Sequence, residues 1–313
     1  MRTLITGGAG FIGSNVVDAL LDRGNEVVIL DNLTTGRLPN LDGALARGAT
    51  LIELDIRDSA AVLEAFEKHQ PASVFHLAAQ IDVRLSVADP AFDATVNVAG
   101  TANLLEANRL ASNARFVLAS TGGAIYGEGA GQNLPLDEST PEAPMSPYGQ
   151  SKLAAEGYLG LFRRLYDANC VALRLGNIYG PRQDPLGEAG VIAIFCGKFL
   201  EGGRPTVFGT GEQTRDYVHV SDVVAAMLAA SETDAAGPIN IGTGVESSVL
   251  DLIRILDERA EGDFKPEMAP PRHGEVEQIS LDASRAKAEL GWTAKVGPEE
   301  GLVQTLASLE PVA

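Results

Sequence analysis

Tyr148-Gly149-Gln150-Ser151-Lys152 sets a phenol and an ammonium four residues apart, so on a helix beginning near Tyr148 both project from one face. The pairing suits acid–base work. An ordinary tyrosine titrates near pH 10, about three units too high for a base at neutrality. A cation at about 4 Å is worth roughly 4 kcal/mol at an effective dielectric of 20, and about 1.4 kcal/mol moves a pKa by one unit. The lysine together with a second positive centre would bring the phenol into range. Away from a cleft the same spacing is a surface pair worth a few tenths of a kcal/mol. The rest of the chain must therefore supply the cleft.

Thr6-Gly7-Gly8-Ala9-Gly10-Phe11-Ile12-Gly13 supplies it, because Gly8, Gly10 and Gly13 fit G-x-G-x-x-G directly after an expected strand and at the start of an expected helix. Glycine lets the backbone of Gly7, Gly10 and Gly13 turn and approach a pyrophosphate, and the free N–H groups from Phe11 and Ile12 onward meet the anion at the helix N-terminus. Asp31 closes the second expected strand 18 residues after Gly13, where a carboxylate accepts from ribose hydroxyls and repels a 2'-phosphate, so NAD is favoured over NADP. Its nicotinamide is the second positive centre. Asn32 follows Asp31, and Asp55 with the Ile56 backbone could edge the adenine; alone that motif is weak. Ser120 and Thr121 end another strand at the edge where open α/β sheets bind ligands, so a hydroxyl there could orient a substrate alcohol toward Tyr148.

The elements that position these groups are visible as alternation. Apolar runs at Thr3–Thr6, Glu26–Leu30, Thr50–Glu53, Ser73–His76, Arg115–Ala119 and Val171–Leu175 interleave with helical segments at Phe11–Arg23, Ser59–Lys68 behind Asp58, and Ala94–Asn108. Parallel strands joined by crossover helices follow, an α/β doubly wound sheet covered on both faces. Past residue 180 the alternation loosens, with helices expected at Val191–Glu201 and Ser221–Ser231 and a strand at Pro238–Ile241. We expect a dinucleotide-binding domain over 1–175 and a smaller α/β substrate domain over 176–313. The glycine- and proline-rich stretch 127–147 is long for a plain connection, and such loops are usually functional or mobile.

Composition narrows the partners. With 24 Lys and Arg against 42 Asp and Glu, the net charge of −18 repels phosphodiester backbones and anionic lipid, so neither nucleic acid nor membrane is expected. Cys170 and Cys196 are too few for a disulfide framework and lack metal-site spacing, so no metal is expected and a reducing cytoplasm suits the chain. No signal-like segment and no apolar stretch of 18 or more is visible, which points to a soluble cytoplasmic protein.

Together these pieces resemble the extended short-chain dehydrogenases/reductases, and within them the NAD-dependent nucleotide-sugar epimerases of the UDP-glucose 4-epimerase type. The resemblance spans nearly the whole chain and rests on Gly7–Gly13, Asp31, Asp55–Asp58, His76–Ala79, Asn97–Thr101, Tyr126-Gly127, Ser146–Lys152, Arg174–Asn177, Tyr179–Arg182, Arg215–His219 and Arg272–Glu275. It implies a Rossmann-type sheet, an isomerase, a UDP-sugar substrate and a homodimer through paired helices, including the one carrying Tyr148. It extends the cofactor-binding set to Leu77, Ala78, Ala79, Gln80, Asn97 and Leu175, beside Tyr148 and Lys152. On the substrate side it implies that Asn177 and the backbone near Val191 meet the diphosphate, Phe208 the uracil, and Arg215 and Arg272 the phosphates.

One position departs from that pattern. Such epimerases usually carry Ser or Thr four residues before the Tyr of Tyr126-Gly127, and here that position is Gly122. Thr121 is the substitute and Ser120 the second choice. Related dehydratases place a carboxylic acid two or three residues before that Tyr; here Ala124 and Gly123 offer none, so elimination lacks its proton donor. Uronate epimerases tend to carry Thr where this chain has Asn177 and Arg where it has Asp184, which favours a neutral hexose, with UDP-glucuronate and UDP-N-acetylglucosamine as alternatives.

Overall fold

The computed structural model describes residues 1–127, 133–185, 190–259, 264–271 and 277–309. Seven strands form one sheet: β1 (Arg2–Thr6), β2 (Glu26–Asp31), β3 (Thr50–Glu53), β4 (Ser73–His76), β5 (Arg115–Thr121), β6 (Cys170–Leu175) and β7 (Gly237–Ile241). Their spatial order is β7-β6-β5-β4-β1-β2-β3, and every pairing is parallel. The order reverses beside β1, with Thr6 opposite Leu30 on one flank and His76 on the other. A crevice must open outside the strand ends at that reversal.

Alternate residues of each strand feed opposite layers, which is why the strands read as continuous apolar runs. Ile5, Ile29, Phe75, Val117 and Leu173 pack under α1 (Phe11–Asp22) with Val16, Val17 and Leu20. Leu4, Val28, Val74, Phe116 and Ala172 pack on the other face against Val62 and Phe66 of α2 (Ser59–His69), Leu104 of α3 (Gly100–Ala111), and Ala155 and Leu159 of α4 (Pro147–Tyr166). Each fully buried Val, Leu, Ile or Phe among them contributes about 1.5–3 kcal/mol. Asp58 caps α2 by accepting from the Ala61 N–H at 3.1 Å, as its position implied.

The helix expected over 94–108 differs in detail. Its run begins at Pro90 and passes through a π turn at Thr95–Ala99 before α3. Asn97 lies buried within that turn, and such π turns are frequent at functional sites. β5 also runs two residues further than expected, so Ser120 and Thr121 are strand residues at the carboxyl edge.

The main sheet crosses the expected division at residue 175. β7 pairs with β6, and α5 (Val220–Ser231) lies on the same face as α1, with Val223 and Met227 in the shared core. Around it the second half adds three two-stranded pairs, of which Asn177–Tyr179 with Tyr217–His219 lies nearest the β6 exit. A separate core gathers Ile192, Phe195, Cys196, Leu252, Leu256, Leu302 and Leu306. Cys170 and Cys196 are both free and buried. Of the long stretch 127–147, the described part is pinned by Leu136, whose N–H donates to Ser280 and whose carbonyl accepts from Asp282, both at 2.8 Å.

Candidate active site

The glycine turn sits at the reversal point, between β1 and α1. Gly7 adopts φ +70°, and a Cβ on it would fall 2.6 Å from the Ala78 nitrogen; a Cβ on Gly13 would fall 2.0 Å from the Gly7 carbonyl oxygen. Neither position admits a side chain. The α1 hydrogen-bond ladder starts with Ser14 donating to Gly10 at 3.0 Å, so the N–H groups of Phe11, Ile12 and Gly13 have no helical acceptor. No side chain caps them, since Gly10 is the N-cap. Donors at a positive helix end, with glycines clearing the approach, fit the pyrophosphate of a dinucleotide.

Asp31 is 6% exposed and fixed by two backbone donors, Ala9 to Oδ2 and Leu33 to Oδ1, each at 2.9 Å. A carboxylate has about four acceptor directions, so lone pairs remain for ribose hydroxyls. Asn32 turns away and donates to Asp55 at 3.0 Å; Asp55 also accepts from the Arg57 backbone and guanidinium, and these bonds, the guanidinium's foremost, hold its carboxyl well below the usual range. The Ile56 carbonyl accepts from Asn103 at 3.0 Å, and its side chain fills the space above Gly100.

On the other flank, the Leu77 and Ala78 N–H groups bond to the Thr6 carbonyl at 3.1 Å and hydroxyl at 3.1 Å. His76 is buried and bonded at both ring nitrogens, to Thr6 at 2.8 Å and Thr101 at 2.9 Å; burial, and secondarily the Lys152 charge, push it down to about 3. Ala79 lies between them and Gln80. Asn97 is spent on the protein: its amide accepts from the Gln80 N–H at 2.8 Å and donates toward the Gln80 carbonyl, Asp93 and Ser151. Leu175 is buried at the β6 exit, in register with Thr121.

Tyr148 and Lys152 lie in the first turns of α4, which Ser146 caps by accepting from Gly149 at 3.1 Å, with Pro147 at the first helical position. The Lys152 ammonium is 5% exposed and donates to the Ala119 carbonyl at 2.9 Å, tying α4 to β5. Burial lowers it to about 8, against which Asp93 and Glu156 act. Tyr148 is half-buried, and the Thr121 hydroxyl favours its ionised form. Burial pushes the phenol up to about 12, which Thr121 opposes and Asp93 adds to.

The structure also separates the two hydroxyl candidates. Ser120 is buried and donates to Glu156 Oε1 at 2.5 Å, in a network where the buried Arg174 guanidinium also holds Glu156 at 2.7 Å and Glu142 at 2.9 Å. Thr121 instead meets the phenol. A Cβ on Gly122 would strike Leu281, 2.4 Å from Cδ1, so position 122 faces the core. A Cβ on Gly123 would meet only Asn177 Oδ1 at 3.5 Å and Thr121 Oγ1 at 3.9 Å. Gly123 is thus the vacant position facing the hydroxyl edge.

The remaining expected residues line the second-half side. Asn177 opens its short strand, with its N–H on the Asp216 carbonyl at 2.8 Å. Val191 is the first residue of the helix Val191–Leu200, behind an uncapped Gly190. Phe208 is half-buried at the end of Thr206–Phe208, and Arg215 bonds the Thr214 carbonyl at 2.8 Å. Arg272 lies outside the described residues. Asp216 accepts from Thr243, Gly244 and Leu281, so the strand carrying Arg215 is tied to the leucine beneath Gly122. Asp93, Glu156 and Leu281 escaped the sequence reading; the only trace of Asp93 is its place four residues before Asn97.

With this geometry in view, comparison places the chain. A family model described as GDP-mannose 4,6 dehydratase matches residues 4–305. The chain belongs to that family. Members of this extended short-chain dehydrogenase/reductase family include the UDP-glucose 4-epimerase of Mycolicibacterium smegmatis, 46% identical over 98% of this chain and 97% of that one. The Thermotoga maritima UDP-glucose 4-epimerase, solved with UDP-glucose, superposes with a TM-score of 0.94 at 45% identity, covering 98% of both chains. That of Thermus thermophilus, solved with NAD, gives 0.91 at 43% identity, again over 98% of both.

Proposed function

We propose that this family member is an NAD-dependent isomerase that inverts C4 of a UDP-hexose, interconverting UDP-glucose and UDP-galactose through a 4-keto sugar. The observation that carries the reading is the placement of Tyr148 and Lys152 on one helix at the sheet edge where Thr121 ends β5, with the Lys152 ammonium buried on the Ala119 carbonyl at 2.9 Å. The α1 N-terminus and Asp31 would hold NAD, which would supply a hydride acceptor and a positive centre near the phenol. Tyr148 Oη takes the proton from the sugar 4-hydroxyl and later gives it back on the opposite face. Thr121 Oγ1 orients that hydroxyl. The bare Gly123 leaves room for the keto sugar to turn, while Asn177, Val191, Phe208, Arg215 and Arg272 hold the nucleotide.

Gly123 and Ala124 present no acid for water loss, which supports epimerisation over dehydration. Asp184, ion-paired with Arg37, offers no cation to a substrate carboxylate, which supports a neutral hexose. A homodimer through α4 fits the exposed apolar stripe Tyr158, Leu161 and Leu165 beside Leu110 of α3. A cytoplasmic setting fits the two free thiols; among the described residues no helix is long and apolar enough to cross a membrane.

Incubation with UDP-glucose, UDP-N-acetylglucosamine and UDP-glucuronate side by side tests the assignment. UDP-galactose from the first, at unchanged mass, is the expected product. A product lighter by water or carbon dioxide would replace this reading with dehydration or decarboxylation.

A further inference from the structure

Asp93 is a carboxylate 1% exposed inside the protein, and among the described residues its Oδ2 has no hydrogen-bond partner. Burying such a group without full pairing is costly. Its Oδ1 accepts from Gln80 Nε2 at 2.9 Å and Asn97 Nδ2 at 3.1 Å. Asn97 Nδ2 in turn reaches Ser151 Oγ at 3.0 Å, and Ser151 donates to the Tyr148 carbonyl at 3.0 Å. A buried chain of bonds thus runs from Asp93 to the backbone of the tyrosine.

We propose that Asp93 is a positioning residue of the acid–base pair: bonded through Asn97 and Ser151 to the backbone of Tyr148, its buried and half-partnered carboxylate fixes the first turn of α4 and sets a negative charge in the interior behind the pair. The proposal rests on the epimerase reading and adds what governs its proton. Around Asp93 the charged and titratable groups are Tyr148, Lys152 and Glu156 from α4, His76 from β4, Asp82 beyond Gln80, and Arg57, stacked on neighbouring Phe92 at 5.4 Å. Glu156 is engaged by Ser120 and Arg174, Arg57 by Asp55, and His76 by two threonines. Asp93 is the carboxylate whose charge acts on both members of the pair, raising each. A proton taken from substrate is thereby retained on the pair while the keto sugar turns, ready for return.

The test is Asp93→Asn, which keeps the Oδ1 acceptor and removes the charge. Two readouts are taken: the pH dependence of kcat with UDP-glucose, and the tyrosinate absorbance titration of Tyr148, isolated by subtracting that of Tyr148→Phe. Removing the carboxylate lets both groups ionise more easily, so the alkaline limb and the phenol midpoint should each move down by about one pH unit. Unmoved curves, whatever happens to the rate, would overturn the proposal. Ser151→Ala breaks the bond chain without touching charge and should leave both midpoints at wild-type pH; an equal shift there would also overturn it. If wild-type protein converts no UDP-glucose the functional reading fails, while the absorbance titration still decides the role of Asp93.

Discussion

Gly122 and Leu281 should be energetically coupled, and the coupling explains why a glycine fits where the family resemblance implies a hydroxyl. In Gly122→Ser the new Cβ would lie 2.4 Å from Leu281 Cδ1 and 3.0 Å from Cδ2. Leu281 is 1% exposed, packed with Tyr126, Leu136 and Ile279, and anchored through its N–H to Asp216 at 3.1 Å, so it has no direction of retreat. Overpacking of this kind costs about 1–3 kcal/mol. Leu281→Ala alone leaves a cavity and costs about 2–5 kcal/mol. In the double variant the serine takes part of the vacated space, so the loss should fall short of the sum by about 1–3 kcal/mol. Urea unfolding of the four proteins at constant m measures this. Additive losses would refute the packing argument, and so would recovery of a Thr121→Val enzyme by Gly122→Ser, because the serine is expected to face the core.

Thr121→Val removes the hydroxyl at the phenol and should lower kcat about 10- to 100-fold, the worth of a hydrogen bond to a charged group, with cofactor content unchanged by absorbance. Gly13→Ala, with its Cβ 2.0 Å from the Gly7 carbonyl oxygen, should purify without NAD, which mass spectrometry of the denatured protein would reveal. His76 supplies the pH dependence of stability. Its folded pKa of about 3 lies below the unfolded value of 6.5, so its contribution is complete above pH 6.5 and is lost as pH falls from there toward 3. At pH 5 about 2 kcal/mol should be gone, and denaturant midpoints of His76→Gln should lack that decline.

Much of the fold was legible because both faces of the sheet are buried, which writes each strand as an apolar run and each crossover as an amphipathic one. The phenol–ammonium pair and the glycine turn were legible because each is fixed by local spacing. What was hidden depends on contacts distant in sequence. That position 122 faces inward follows from Leu281, and that Ser120 is engaged while Thr121 meets the phenol follows from Glu156 and Arg174. Asn97 announces itself in a motif, yet its amide serves Gln80, Asp93 and Ser151. Asp93 is one of 42 acidic residues, and only burial distinguishes it. The burial of the phenol was likewise hidden, because helix spacing reports the lysine and says nothing of desolvation.

The central claim is that a hydride leaves C4 of the sugar and returns to the same carbon from the other side. UDP-glucose carrying deuterium at C4 tests it most directly, with the product examined by mass spectrometry and NMR. The account predicts UDP-galactose with the label retained at C4. Product whose label has exchanged with solvent would contradict it.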